Sequence, residues 1–273
     1  DISDPTNPVG LGEITDGANG ATELDSARKV VVSGSYAYVT GLDDNGVQVI
    51  DISDPTNPRG VGAITDGTNL GNVIDIVVVG NYAYTASFGT THGMQIIDIS
   101  DPTNPTLAGT ITDNTNGAAA LNGANGIAVA GKYAYVASAY EGMQIIDISD
   151  STNPIGLGEI VDGTNGATTL SNATNLFVAG NYVFVVGNSD NGIQIIDVSD
   201  PNNPVGVGAI IDNNNGATTL NSPFGIVVQG NYAYVTSESE SALQILSLPT
   251  FTSPTANIGS LASNNIQTDF LRT

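Results

Sequence analysis

The chain has no cysteine, which excludes disulfides and thiolate metal ligands. This suits a reducing compartment, and equally an exported protein that is stable without cross-links. Basic residues are also scarce: five Lys and Arg stand against 27 Asp and Glu, giving a net charge of −22. Such a surface repels nucleic acid and anionic membranes. His92 is the only histidine, and no spacing forces a Ser or Asp beside it, so no nucleophile arrangement stands out. No apolar run reaches the ~20 residues of a membrane helix. No segment carries a helical period, so no glycine-rich loop can cradle phosphate at a helix start. The chain begins at Asp1 without an initiator Met or a signal peptide, as expected of a processed or truncated product.

What the chain does have is repetition. The phrase DISDPTNP, or a close variant, starts at Asp1, Asp51, Asp98, Asp147 and Asp197, at spacings of 50, 47, 49 and 50 residues. A period of this length marks stacked supersecondary units. Each unit reads as four short segments rich in Val, Ile and Tyr, such as VIDIVVVG, NYAYTAS, GMQIIDIS and PTLAGTIT. Their length, their β-branched content and the Gly, Asn, Asp and Pro between them predict strands. Several are apolar at consecutive positions, which predicts burial on both faces. The expected fold is all-β: a β-propeller of five four-stranded antiparallel blades. Blades are expected near residues 27–66, 73–113, 124–162, 174–212 and 223–248, in a single domain spanning 1–262 with a tail at 263–273.

The repeated phrase joins the third strand of a unit to the fourth. Asp54 and Asn57 can accept backbone amides in Asx turns while Pro55 and Pro58 fix φ, so a rigid corner is expected rather than a catalytic Asp51–Asp54 pair. Nine of the ten tyrosines fall in two columns of the second strand, for example Tyr36 and Tyr38. Residues two apart share a strand face, which predicts packing against the next blade; an aromatic sugar platform is the alternative. The column Gln48, Gln95, Gln144, Gln194 and Gln244 is expected to make structural hydrogen bonds. Fourth-strand segments outnumber the other three types by one. The segment at Pro8–Thr15 keeps the glycine pattern, whereas the one at Pro254 shifts it by one residue, a slip that would turn every side chain to the other face. Residues 8–15 are therefore expected to close the last blade by pairing with Leu243–Leu248, in the same chain or donated to a neighbour. Residues 249–273 are expected to run as an irregular tail.

The run GNYAYV followed by GMQIIDISDPTNP resembles the LVIVD-repeat family of bacterial and archaeal secreted and surface proteins, over residues 1 to about 248. The resemblance implies a propeller and a secreted or cell-surface location; it implies no particular activity. Inserts such as NGATTL between units depart from the shorter family repeat, and the last unit reads LSLPTFTSP in place of the Asp pair.

Asp16, Asp66, Asp113, Asp162 and Asp212 open the connections between units, each followed by Gly or Asn and then by Asn three positions on. Hard oxygen ligands of this kind suit calcium, although an Asp-Gly turn accounts for much of the pattern. Columns that differ between units are free for a specific task. Off-pattern residues gather at the first-strand entrance (Arg28, Lys29, Asp75, Phe224) and on the hairpins between second and third strands (Phe88, His92, Tyr140, Glu141). These eight are the candidate ligand- or partner-binding residues, with solvated surface as the alternative. The sequon at Asn172 is one weak match for glycosylation.

The expected function is a non-catalytic extracellular or cell-surface module for binding and scaffolding. Its partner would be a protein or glycan, with calcium the one cofactor considered and self-assembly through the surplus strand in view. A subunit of a surface layer or filament is the first alternative. The second is a glycan hydrolase pairing Glu141 with Asp75, Asp43 or Asp190 across about 5–9 Å.

Overall fold

In a computed structural model the structure describes residues 1–89 and 91–248, and every regular element among them is a strand. Blade 1 comprises β1 (Ala27–Ser33), β2 (Tyr36–Gly41), β3 (Gly46–Asp51) and β4 (Arg59–Thr65). Blade 2 comprises β5 (Val73–Val79), β6 (Tyr82–Ser87), β7 (Gly93–Asp98) and β8 (Thr106–Thr112). Blade 3 comprises β9 (Ala124–Ala130), β10 (Tyr133–Ser138), β11 (Gly142–Asp147) and β12 (Ile155–Ile160). Blade 4 comprises β13 (Ala173–Ala179), β14 (Tyr182–Gly187), β15 (Gly192–Asp197) and β16 (Val205–Ile211). Blade 5 comprises β17 (Pro223–Gln229), β18 (Tyr232–Ser237) and β19 (Ala242–Ser247). Each blade is an antiparallel meander in chain order, the β-propeller arrangement.

The corner phrase folds as its residues dictate. Asp54 Oδ1 accepts the Thr56 amide at 3.0 Å and the Thr56 hydroxyl at 2.6 Å, and Asp51 Oδ1 accepts the Ser53 amide at 2.9 Å. These bonds hold both carboxyls below their ordinary values, Asp51 chiefly through the Ser53 amide and Asp54 through the Thr56 hydroxyl. Asn57 departs from expectation: with its side-chain amide oriented to suit its surroundings, the oxygen accepts from the Arg59 guanidinium, with Nη2 at 3.0 Å, rather than from a backbone amide.

Four apolar clusters join successive blades. In the first, Tyr36, Tyr38, Val47 and Val49 of blade 1 meet Ile76, Val78, Ala83 and Ile97 of blade 2. The same two faces recur between blades 2 and 3, 3 and 4, and 4 and 5. The paired tyrosines therefore serve blade packing, and Tyr38, Tyr84 and Tyr135 are 3–6% exposed.

Residues 8–15 do not close blade 5 of their own chain. They form no strand, and β19 has no fourth strand beside it among the described residues. They lie instead against blade 1: a Cβ on Gly12 would sit 2.3 Å from the Pro55 carbonyl oxygen. A Cβ on Gly62 would likewise sit 2.3 Å from that of Pro102, in the corner of blade 2. A fourth strand is held by two neighbours, its own third strand and the proline corner of the next blade; residues 8–15 have only the second. No apolar cluster joins blade 5 to blade 1 among the described residues. Residues 249–262, expected to complete the domain, and the tail 263–273 lie outside the described residues.

Candidate functional site

First-strand entrances and second-to-third hairpins emerge at the same end of the blades, because Ala27 pairs with Gly41 and Val73 with Ser87. Each pairing of first and second strand shifts register near the entrance, between Ala27 and Val30 or between Val73 and Asp75. A bulge re-aims a side chain, so the entrance column points inward. A cavity of about 520 Å³ lies there, lined by Lys29, Asp75, Ile127, Asn175 and Gly225 from successive blades. Asp75 is 7% exposed and accepts the Ile76 amide at 2.9 Å, the Ile127 amide at 3.0 Å and Lys29 Nζ at 3.2 Å. The cation and anion of the channel thus neutralise each other. The cavity also reaches Tyr234 and Leu243, on the face of blade 5 against which no other blade packs among the described residues, so part of its volume belongs to that edge.

The eight candidate residues divide into two groups. Lys29 and Asp75 form the channel pair; Arg28 lies exposed on β1, and Phe224, 45% exposed, stands on β17 without a ring partner among the described residues. The hairpin group is compact. Phe88 meets His92 edge-on at 5.6 Å and Tyr140 at 5.7 Å, and the Tyr140 ring is 65% exposed. Glu141 accepts the Asn122 amide at 2.9 Å; burial raises its carboxyl above the ordinary value, and Asp113 adds to the rise. The carboxylate beside Glu141 is therefore Asp113, not Asp75, Asp43 or Asp190. Glu141 also has counterparts: Asp44, Asp190 and Glu240 accept the amides of Asp25, Ser171 and Asn221 at 2.7, 2.8 and 3.2 Å. Its column is structural in four blades of five.

The inter-blade aspartates are loop clasps. Asp16, Asp113, Asp162 and Asp212 each accept the amide eight residues on, that of a leucine, at 3.0–3.1 Å. Asp66 bonds Thr68 and Asn69 within its shorter loop. Each stands on its own connection, and among the described residues no three Asp, Glu or His side chains converge as a metal site.

Blade 2 is the exception that reading the columns for chemistry passed over. Its inbound connection, DGTNLGN, is four residues shorter than DNTNGAAALNG and its other counterparts. In blades 1 and 3 the longer connection caps the buried glutamine: Gln48 Oε1 accepts Thr22 and Glu23 amides at 2.8 and 3.1 Å, and Gln144 Oε1 accepts Ala119 and Ala120 at 2.9 and 3.1 Å. In blade 2 no such amides arrive. Gln95 turns to the Thr85 and Ser87 hydroxyls at 3.0 and 2.7 Å, and its Nε2 has no partner. Thr110 Oγ1 and His92 Nδ1 are likewise unpartnered. These three are the buried side-chain polar atoms without a partner among the described residues, and all lie in one blade. The signal was present: Thr85 and Thr110 replace the Val and Ala of other blades (Val39, Val185; Ala63, Ala209), and a four-residue deletion accompanies them.

Similar solved structures share the fold at low identity. A functionally unknown protein from Desulfotomaculum acetoxidans is 18% identical with a TM-score of 0.61, covering 86% of this chain and 71% of its own. The periplasmic gluconolactonase of Pseudomonas aeruginosa is 13% identical with a TM-score of 0.62, covering 78% of this chain and 63% of its own. A chain of a nidogen–laminin complex is 13% identical with a TM-score of 0.56, covering 81% and 77%. No curated protein matches in sequence. The LVIVD repeat matches residues 25–66, 70–113, 123–162, 171–212 and 224–242, one match on each blade, and the chain belongs to the LVIVD-repeat family.

Proposed function

We propose that this propeller is a non-catalytic binding module of the cell exterior, and that it takes a hydroxyl-rich ligand, a glycan, at the hairpin end of blades 2 and 3. The observation that carries this reading is the concentration of unpartnered Gln95, Thr110 and His92 atoms in the one blade whose capping connection is short. Leaving such atoms unpaired costs about 1–3 kcal/mol each. Sugar hydroxyls both donate and accept, and so complement an amide N–H, a threonine hydroxyl and an imidazole nitrogen together. The exposed Tyr140 ring, backed by Phe88, offers an apolar face for a pyranose. Entry requires the hairpin bearing Phe88 and His92 to shift. The gluconolactonase among the similar structures raises a hydrolytic reading. Against it, Glu141 and its counterparts clasp loop amides, and the channel lysine is already paired in a chain of net charge −22, which repels anionic substrates.

Calorimetric titration with neutral oligosaccharides, preceded by an array screen, tests the proposal. Tyr140→Ala is expected to weaken binding about thirtyfold, as truncation of an aromatic anchor does. Thr110→Ala should weaken it less, and Tyr232→Ala, on exposed blade 5, should leave it unchanged. Absence of any glycan ligand, or indifference to Tyr140→Ala, refutes the site. Turnover of a sugar lactone refutes the non-catalytic part alone.

A further inference from the structure

We propose that copies of this chain associate head to tail, blade 5 of one receiving residues 8–15 and blade 1 of the next. Three unmatched features of blade 5 and three of the N-terminal side are complementary halves of contacts the chain already forms within and between its own blades.

The first pair is apolar. Leu243 and Ile245 are 58% and 52% exposed, where Met94, Ile96, Met143 and Ile145 at the same positions are fully buried against the following blade. On the other side, Val30 and Val32 of blade 1 are 57% and 48% exposed, where Ile76 and Val78 of blade 2 are 2% and 7% exposed against the preceding one. The second pair is a strand and an edge. Among the described residues β19 lacks a fourth strand, and residues 8–15, carrying the fourth-strand pattern, already sit on the corner of blade 1 without a third strand.

The third pair is the most specific. In three blades the inbound connection touches the fourth strand glycine to glycine, and a Cβ on Gly20 would meet the Gly60 oxygen at 2.5 Å. For Gly117 with Gly156 and Gly166 with Gly206 the distances are 2.8 and 2.4 Å. In each, the preceding asparagine accepts the strand glycine's amide: Asn19 from Gly60 at 3.0 Å, Asn116 from Gly156 at 2.9 Å, Asn165 from Gly206 at 2.8 Å. Blade 5 has the connection half, Asn215 and Gly216, and a Cβ on Gly216 meets nothing within 4 Å. Residues 8–15 have the strand half, Gly10, and a Cβ there also meets nothing within 4 Å. Joining two copies unites them, with Gly10 donating to Asn215 of the neighbour, Ile14 opposite Leu243 and Gly12 opposite Ile245, the register of β4 on β3. The contact is heterologous, so it propagates into a ring or a filament.

Sedimentation of the full chain over a wide concentration range tests this, with Val30→Lys and Ile245→Lys placed on opposite halves. Both positions are exposed in the free chain, so both variants are expected to fold, which circular dichroism checks. The wild type is expected to grow in mass with concentration, and each variant to weaken association at least thirtyfold. An equimolar mixture of the two should recover one-to-one dimers and nothing larger, because one intact pair of faces remains. The chain's lack of cysteine allows a second measurement: mixed Ile14→Cys and Leu243→Cys chains should form a disulfide between copies. A wild type that stays monomeric, variants that associate normally, or a mixture that neither dimerises nor cross-links would each overturn the proposal. The first of these points to closure by chain of the same polypeptide, the last to a symmetric contact.

Discussion

Replacing Gln144 with leucine isolates what the capping connections contribute. The amide oxygen accepts Ala119 and Ala120 amides at 2.9 and 3.1 Å, and Nε2 donates to the Ile145 and Gly158 carbonyls, each at 3.1 Å, and to the Leu157 carbonyl at 3.4 Å. Leucine keeps the volume and removes all five bonds. The Ala120 amide is buried and would bear the full desolvation penalty, about 1–3 kcal/mol, while the exposed Ala119 amide recovers water and loses about 0.5–1.5 kcal/mol. With the three carbonyls losing a donor, a total of about 2–4 kcal/mol is expected. For a domain of this size that is a fall of about 5–15 °C in melting temperature. Gln95→Leu combined with Thr85→Val and Ser87→Ala is the control, since these changes remove both hydroxyls that Gln95 accepts, Gln95 Nε2 bonds nothing and the connection never reaches it; its cost should stay below about 1.5 kcal/mol. Melting followed by circular dichroism, with hydrogen exchange at the Ala119 and Ala120 amides, reads both. Exchange at those amides should accelerate in Gln144→Leu alone. Equal losses in the two variants would refute the reasoning, because burial of the glutamine, not its bonds to the connection, would then set the cost.

Three further outcomes follow from the same geometry. Gly60→Leu should destabilise by about 2 kcal/mol or more, since its Cβ would sit 2.3 Å from the Gly20 oxygen, whereas Leu107→Gly in blade 2, where no connection approaches, should cost about 1 kcal/mol; paired urea titrations compare them. The corner aspartates Asp51, Asp54, Asp98, Asp101, Asp147 and Asp150 have lowered pKa values, held there by the Ser and Thr two residues on, so their contribution is complete above the ordinary aspartate value of 3.8 and disappears as pH falls through the folded values. Glu23 and Glu141, raised by burial, act oppositely and erode stability as pH rises past 4.5, so a melting profile should peak in mildly acidic buffer; a monotonic rise to neutral pH would contradict this. Melts in calcium and in chelator should nearly coincide, because each inter-blade loop brings one carboxylate already bonded to an amide, and a gap of several degrees would show that these loops bind the ion after all.

The sequence by itself determined the elements, the corners and the packing of the blades. Consecutive apolar residues need two buried faces, two proline-locked aspartates admit one corner, and tyrosines two apart must share a side. These are short-range requirements, met within a unit or against an identical neighbour, and repetition states them five times. Identity of columns was less informative about the site. Glu141 looked singular until its bond to Asn122 proved to be shared by Asp44, Asp190 and Glu240, because side chains of different length can clasp the same amide. Only the tertiary structure showed that the unpartnered atoms of Gln95, Thr110 and His92 lie together in the blade with the short connection, since a cap is a matter of which backbone reaches which side chain across about 25 residues. Only the tertiary structure, too, decided where residues 8–15 rest. Their pattern matches a fourth strand equally well beside blade 5 or on the corner of blade 1. The choice depends on whether the curvature accumulated over four interfaces brings the two ends together, a property no single repeat encodes.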